Sequence, residues 1–129
     1  MNKIEIKHKG KINMQEKVVG TSFVRQIPFE ELNGTVTPKE ETERGIEQFH
    51  TEAYLQPEPT NPYDSKAVAV MVIDKTGQAH RVGYLGKRSD LKRKVKGNER
   101  YRMTIHKYSD IGLLNSYILE EELENTFAF

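Results

Sequence analysis

The sequence predicts a mostly β fold with one or two short helices, packed as a small, closed or nearly closed six-stranded barrel. Three observations carry this. Apolar and polar residues alternate over short runs, which is the period of half-buried strands. One run, Ala67 to Ile73, is almost wholly apolar, rich in valine and too short for an ordinary helix. Turn residues separate these runs, and about six short strands with one helix bury their apolar faces by closing on themselves. A chain of 129 residues is expected to form one domain with a real core. Within it, residues 1–14 read as an arm or edge strand, 15–108 as the barrel with an insert over 32–46, and 109–129 as a last strand and acidic tail.

The elements follow in chain order. Ile4, Ile6 and Ile12 alternate weakly among lysines. Val18 to Val24 reads as a strand. Leu32 to Gly45 combines Asn-Gly, Thr-Pro and a run of Glu without an apolar period, so a loop or disordered insert is expected there. Gln48 to Leu55 alternates, with Phe49, Thr51, Ala53 and Leu55 on one side and His50, Glu52 and Tyr54 on the other. Ala67 to Ile73 reads as a central strand. Asp74-Lys75-Thr76-Gly77 turns the chain, and Ala79 to Leu85 returns as a hairpin partner. Ser89 is placed to cap a short helix, with Leu91 and Val95 facing inward and Gly97 ending it. Lys92, Arg93, Lys94 and Lys96 cover its other faces. Arg100 to Lys107 alternates around Tyr101, Met103 and Ile105. Leu113 to Leu119 reads as the last strand, with a helix over Ile118 to Leu123 as the alternative.

Composition narrows the function. A hydrophobic fraction of 36% against 30% charged residues suits a small β-rich domain with polar tails. There is no cysteine, which removes disulfides, cysteine-containing zinc sites and thiol nucleophiles. The N-terminus lacks the apolar core of a signal peptide, and no apolar run approaches membrane-spanning length, so a cytoplasmic protein is expected. The net charge of +1 hides strong segregation. Lys87 to Lys107 holds nine Lys or Arg against Asp90 and Glu99, whereas Glu30 to Glu58 holds eight Glu against Lys39 and Arg44. A basic face among acidic segments points to a polyanionic partner.

Catalytic motifs are missing. There is no Gly-x-Ser-x-Gly elbow and no His-Glu-x-x-His. His8, His50, His80 and His106 lie on separate elements without ligand spacing, so neither a metal nor a cofactor is expected. Gly83 to Arg88 superficially suggests a phosphate loop, but Arg88 stands where Ser or Thr must meet magnesium and Arg81 where the first Gly is needed.

The most specific stretch is Glu58-Pro59-Thr60-Asn61-Pro62-Tyr63-Asp64, which runs into the central strand. Pro62 presets φ within a turn, and Asn61 and Asp64 can bond back to the turn backbone. The corner therefore presents Tyr63 rigidly beside a buried strand. This block, continued by Ser65-Lys66-Ala67-Val68-Ala69-Val70, resembles the signature of the HIRAN domain. That domain stands at the N-terminus of some SWI/SNF-type helicases and alone in bacterial or phage proteins. Val18-Val19-Gly20-Thr21-Ser22-Phe23 and Val82-Gly83-Tyr84-Leu85-Gly86-Lys87 match its first and third blocks in order. The resemblance covers residues 17–107 and implies an OB-like or SH3-like barrel.

It also implies a function. HIRAN domains of helicase-like transcription factors hold the 3′ end of single-stranded DNA. Carried across, Phe23 and Tyr63 contact terminal bases, Asp64 meets the 3′-hydroxyl and Lys87 meets phosphate, with Asn61 and Tyr84 beside them. Apart from the resemblance, Arg88 follows Lys87 directly, soon after Tyr84, and is a further candidate for phosphate. Ser22-Phe23 replaces the Arg-Tyr of the DNA-gripping relative, keeping a stacking face while removing a cation and a hydroxyl. Lys92, Arg93 and Lys96 form a secondary basic surface. The expected function is a non-catalytic DNA-binding module, for single-stranded DNA or free 3′ ends, in repair, replication or phage biology. It would work beside a helicase, nuclease or other DNA enzyme. The alternative is a protein-interaction adaptor that uses the acidic insert, Glu40 to Glu47, and the acidic tail, Glu120 to Glu124.

Overall fold

The computed structural model describes residues 15–24, 26–97, 99–108 and 114–123. Among these, seven strands form one sheet: β1 (Glu16–Lys17), β2 (Thr35–Thr37), β3 (Gln48–Pro57), β4 (Val68–Ile73), β5 (Ala79–Tyr84), β6 (Arg100–His106) and β7 (Ser116–Leu123). Every pairing among them is antiparallel. The order is β1-β7-β6-β3-β4-β5, and β2 lies along the start of β3. No helix among the described residues is long and apolar enough to cross a membrane.

The sheet curls into a half-barrel, and two bulges help it to do so. Val70 faces Gly83 but Met71 faces Arg81, leaving Val82 as the extra residue on β5. Arg102 faces Glu121 but Met103 faces Leu119, leaving Glu120 extra on β7. A bulge increases local twist and bends the strand that carries it. The two margins then meet at one place. Val18 N–H donates to Tyr117 O on β7 at 2.9 Å, while Val19 exchanges both backbone bonds with Tyr84 of β5 at 2.9 and 2.8 Å.

The core fills the concave side. Val18, Leu55, Val70, Val72, Val82, Met103, Ile105 and Leu119 are sealed from solvent. Each such side chain contributes roughly 1.5–3 kcal/mol by leaving water. β4 is buried without a break from Val68 to Val72, so both of its faces are covered, as its unbroken apolar run requires. β3 and β7 instead alternate over much of their length, whereas β6 alternates only as far as Met103 and is then buried through Ile105. β7 alternates with Tyr117, Leu119 and Glu121 inward, which makes 118–123 strand and not helix.

Five expectations change. The chain is extended only to Val19, because Gly20 adopts φ 71° and Thr21–Phe23 closes a 3-10 turn, so Val18 to Val24 is not one strand. The insert is folded. Leu32 is buried against the core and bridges Asp74, and β2 adds a seventh strand to the expected six. One buried Leu and a Thr-Val-Thr pairing partner provide the anchorage that a charged, aperiodic segment does not advertise. The helix after Ser89 is a 3-10 turn over Asp90–Lys94; Ser89 does cap it, accepting from Leu91 N–H at 3.1 Å. It ends at Val95, which is already extended, so Gly97 does not terminate it. The arm over 1–14, Leu113 at the start of the expected last strand and Glu124 of the acidic tail lie outside the described residues.

Candidate nucleic-acid interface

The corner between β3 and β4 is built by side chains that replace backbone partners. Asn61 Oδ1 accepts from Tyr63 N–H at 2.8 Å and from Asp64 N–H at 3.0 Å. Asp64 Oδ1 then accepts from Lys66 N–H at 2.9 Å, and Ala67 N–H donates to Asp64 O at 3.0 Å. Two Asx turns in succession thus carry the chain past Pro62, which has no N–H to satisfy. Tyr63 supplies only backbone to this arrangement, and its side chain stands 95% exposed.

Glu58 ties the corner to the third block. Its Oε1 accepts from Asn61 Nδ2 and from the Tyr84 hydroxyl, each at 3.0 Å. Its Oε2 pairs with Arg81 at 2.9 Å, and the Arg81 guanidinium lies 5.7 Å from the centre of the Tyr84 ring. Burial opposes ionisation of Glu58, but the bonds from Asn61 and Tyr84 and the Arg81 charge outweigh it and hold the carboxyl below its ordinary range. Burial, reinforced by the bond to Glu58, raises the Tyr84 phenol above its ordinary value and keeps it a donor.

The first block arrives at the same rim. A Cβ placed on Gly20 would lie 3.5 Å from the Tyr84 ring and 3.8 Å from the Phe23 ring, so both rings border that glycine. Phe23 is 86% exposed. Gly83 permits the junction: a Cβ there would come within 2.5 Å of Val18 Cγ1 and 2.6 Å of Val19 O.

The prolyl corner separates two grooves, since Pro57 and Pro59 line both. One, of about 560 Å³, is bordered by Tyr63, Arg81 and Tyr84. The other, also about 560 Å³, is bordered by Lys66, Lys87, Arg88, Lys92 and Arg93. Lys92 Nζ lies 3.4 Å from Asp64 Oδ2, and Arg93 pairs with Asp90 at 2.7 Å. Lys66, Lys87 and Arg88 make no ion pair with a described residue. The Lys66 N–H holds the Asp64 carboxyl below its ordinary range against partial desolvation, with help from Lys92 and then Lys87.

Of the residues singled out in the sequence, Phe23, Asn61, Tyr63, Asp64, Tyr84, Lys87, Arg88, Lys92 and Arg93 converge here. Lys96 does not border either groove; its backbone N–H donates to Glu99 Oε2 at 2.6 Å. Tyr84 differs in kind from the other two rings, because its hydroxyl is engaged and its ring is half-buried. Glu58, Arg81 and Lys66 belong to the same surface; Glu58 and Lys66 lie within the second block, where the resemblance gives them no role, and Arg81 lies outside all three blocks. Elsewhere, His50 links Thr37 to Thr104, and His80 pairs with Asp74 at 2.7 Å. Glu120 and Glu121 are engaged within the sheet by Thr104 and Arg102. Among the described residues no group of three or more His, Asp or Glu side chains is arranged to hold a metal. Comparison with family models, curated proteins and solved structures found no match to this chain.

Proposed function

We propose that this chain is a non-catalytic, HIRAN-type barrel that binds single-stranded DNA and favours a free 3′ end. The observation that carries the reading is the placement of two solvent-facing rings, Phe23 and Tyr63, around Tyr84, with cations that no described acid pairs just across the corner. Rings outside the core offer faces to bases, each worth ~1–3 kcal/mol, and cations beside them track phosphates. Phe23 and Tyr63 stack bases. Glu58 and Asn61 hold the corner, Tyr84 braces it, and Lys66, Lys87 and Arg88 take phosphates. The resemblance of the three sequence blocks supports the same reading, because the segments that carry it meet at this rim. Such a module delivers DNA ends to a helicase, nuclease or similar enzyme.

Fluorescence anisotropy with short oligonucleotides ending in a 3′-hydroxyl or a 3′-phosphate tests this. Wild type is expected to bind the single strand, to prefer the hydroxyl end, and to weaken steeply with salt. Tyr63→Ala is expected to weaken binding by about 5- to 150-fold, more than Arg93→Ala does, because stacking is local whereas one exposed cation is screened. No binding at low salt would refute the reading. A larger loss from Arg93→Ala would make the surface a diffuse cationic one.

A further inference from the structure

The cationic groove has a carboxylate reaching one of its lysines from just outside, Asp64 against Lys92, which is out of place beside a surface for polyanions. Asp64 is fixed by the Lys66 N–H on one oxygen, and its other oxygen faces the Lys92 ammonium at 3.4 Å. That separation exceeds the ~2.7–2.9 Å of a well-made charge-assisted bond. The Lys92 side chain is only 12% exposed, so its packed stem confines the ammonium to this position. Lys66, Lys87 and Arg88 border the same groove without a contact ion pair to a described acid, although Lys87 lies near enough to Asp64 to act on its charge. Lys92 therefore differs from its neighbours in being covered by a distant acid, 28 residues away in sequence.

We propose that Asp64 stands on Lys92 in the place of a phosphate, and that a phosphodiester entering the groove displaces it. This rests on the nucleic-acid reading above and makes Asp64 a specificity-determining residue. An isolated anion must compete with a tethered carboxylate and loses. A strand whose adjacent phosphates already sit on Lys66, Lys87 and Arg88 presents the next phosphate at high effective concentration and wins. Asp64 thus rejects single anions and admits contiguous phosphates, a built-in repulsion that sharpens selection. The exchange also has an ionic signature. A phosphate neutralised by Lys92 releases a counterion from the strand, while the freed Asp64 takes one up.

Anisotropy of a labelled oligothymidylate ending in a 3′-phosphate, which offers Asp64 no terminal hydroxyl, across a salt series, with Asp64→Asn, Lys92→Met and the double variant, tests the exchange. The amide of Asp64→Asn retains an oxygen for the Lys66 N–H. Asp64→Asn is expected to bind about fivefold more tightly at low salt, with a salt slope steeper by about 0.7. In the Lys92→Met background the same change is expected to leave the slope unaltered. Independently of DNA, the labelled Lys92 Cε resonance is expected to move on adding inorganic phosphate to Asp64→Asn but not to wild type. Weaker binding, or an unchanged slope in folded Asp64→Asn, would overturn the exchange. If Asp64→Asn fails to fold, Asp64→Ser repeats the measurement with a hydroxyl oxygen at the turn. Failure of wild type to bind the oligonucleotide with either 3′ end would refute the nucleic-acid reading, and a phosphate response at Lys92 would still report the exchange.

Discussion

Tyr63 projects into solvent because its backbone, and not its ring, makes the turn. Asn61 and Asp64 perform that work with short side chains, and Glu58 locks the result to Tyr84 and Arg81. The turn chemistry is legible in the sequence because it is local: Asn before Pro, then Asp, can bond to nearby backbone. The role of Glu58 is not legible there, because its contact with Tyr84 spans 26 residues and needs the hairpin to exist first. Its carboxylate is well shielded, so Glu58→Gln is expected to lower stability by about 1–3 kcal/mol. Urea denaturation measures this. The variant is also expected to loosen the corner, which proton exchange at the Tyr63 and Asp64 amides would report as faster opening. Unchanged stability would mean that Arg81 and Tyr84 find water partners of equal worth.

At the scale of elements, the sheet is legible wherever hydrophobic period decides structure. The strands around Phe49, Val70, Val82 and Met103 are of this kind. It is illegible where a few long-range contacts decide. β2 has three residues and no apolar period, yet it pairs with β3 at Thr35, Val36 and Thr37. β1 has two, and it owes its place to Val18 in the core. The junction of β1 with β5 depends on close approach at Gly83. Gly83→Ala puts a methyl against Val18 and the Val19 carbonyl, neither of which can swing aside as a flexible side-chain end can. We expect a loss of about 1–3 kcal/mol. Thermal unfolding followed by circular dichroism checks this, and an unperturbed melting temperature would show that the two margins of the sheet are held less tightly than their hydrogen bonds suggest.

Across the whole molecule, the charge blocks of the sequence partly meet in the fold, Arg100 pairing with Glu52, Arg102 with Glu121 and Lys107 with Glu47, and acid sensitivity follows from how the carboxylates are held. Asp74 closes the β4–β5 hairpin. It accepts from the Thr76 hydroxyl at 2.6 Å, faces His80 at 2.7 Å and receives the Gln78 and Thr76 N–H groups. These partners, the Thr76 hydroxyl first and then His80, hold its carboxyl well below the ordinary range despite desolvation. A carboxyl depressed in the folded state stabilises fully above its unfolded pKa, about 3.9, and its contribution is lost as pH falls toward the folded value. Asp74→Asn is therefore expected to melt lower than wild type at neutral pH, with the gap narrowing below about pH 4. A gap independent of pH would show that Asp74 acts through turn geometry alone. The clasp at Val18 and Val19 has a mechanical consequence as well. Tension on the chain ahead of Glu16 loads those few backbone bonds before it reaches the long ladders of β3, β6 and β7. Peeling them frees Phe23 from its seat beside Tyr84 while Tyr63 stays on its corner, so a pull from that end separates the two rings at a force well below the one that unravels the barrel.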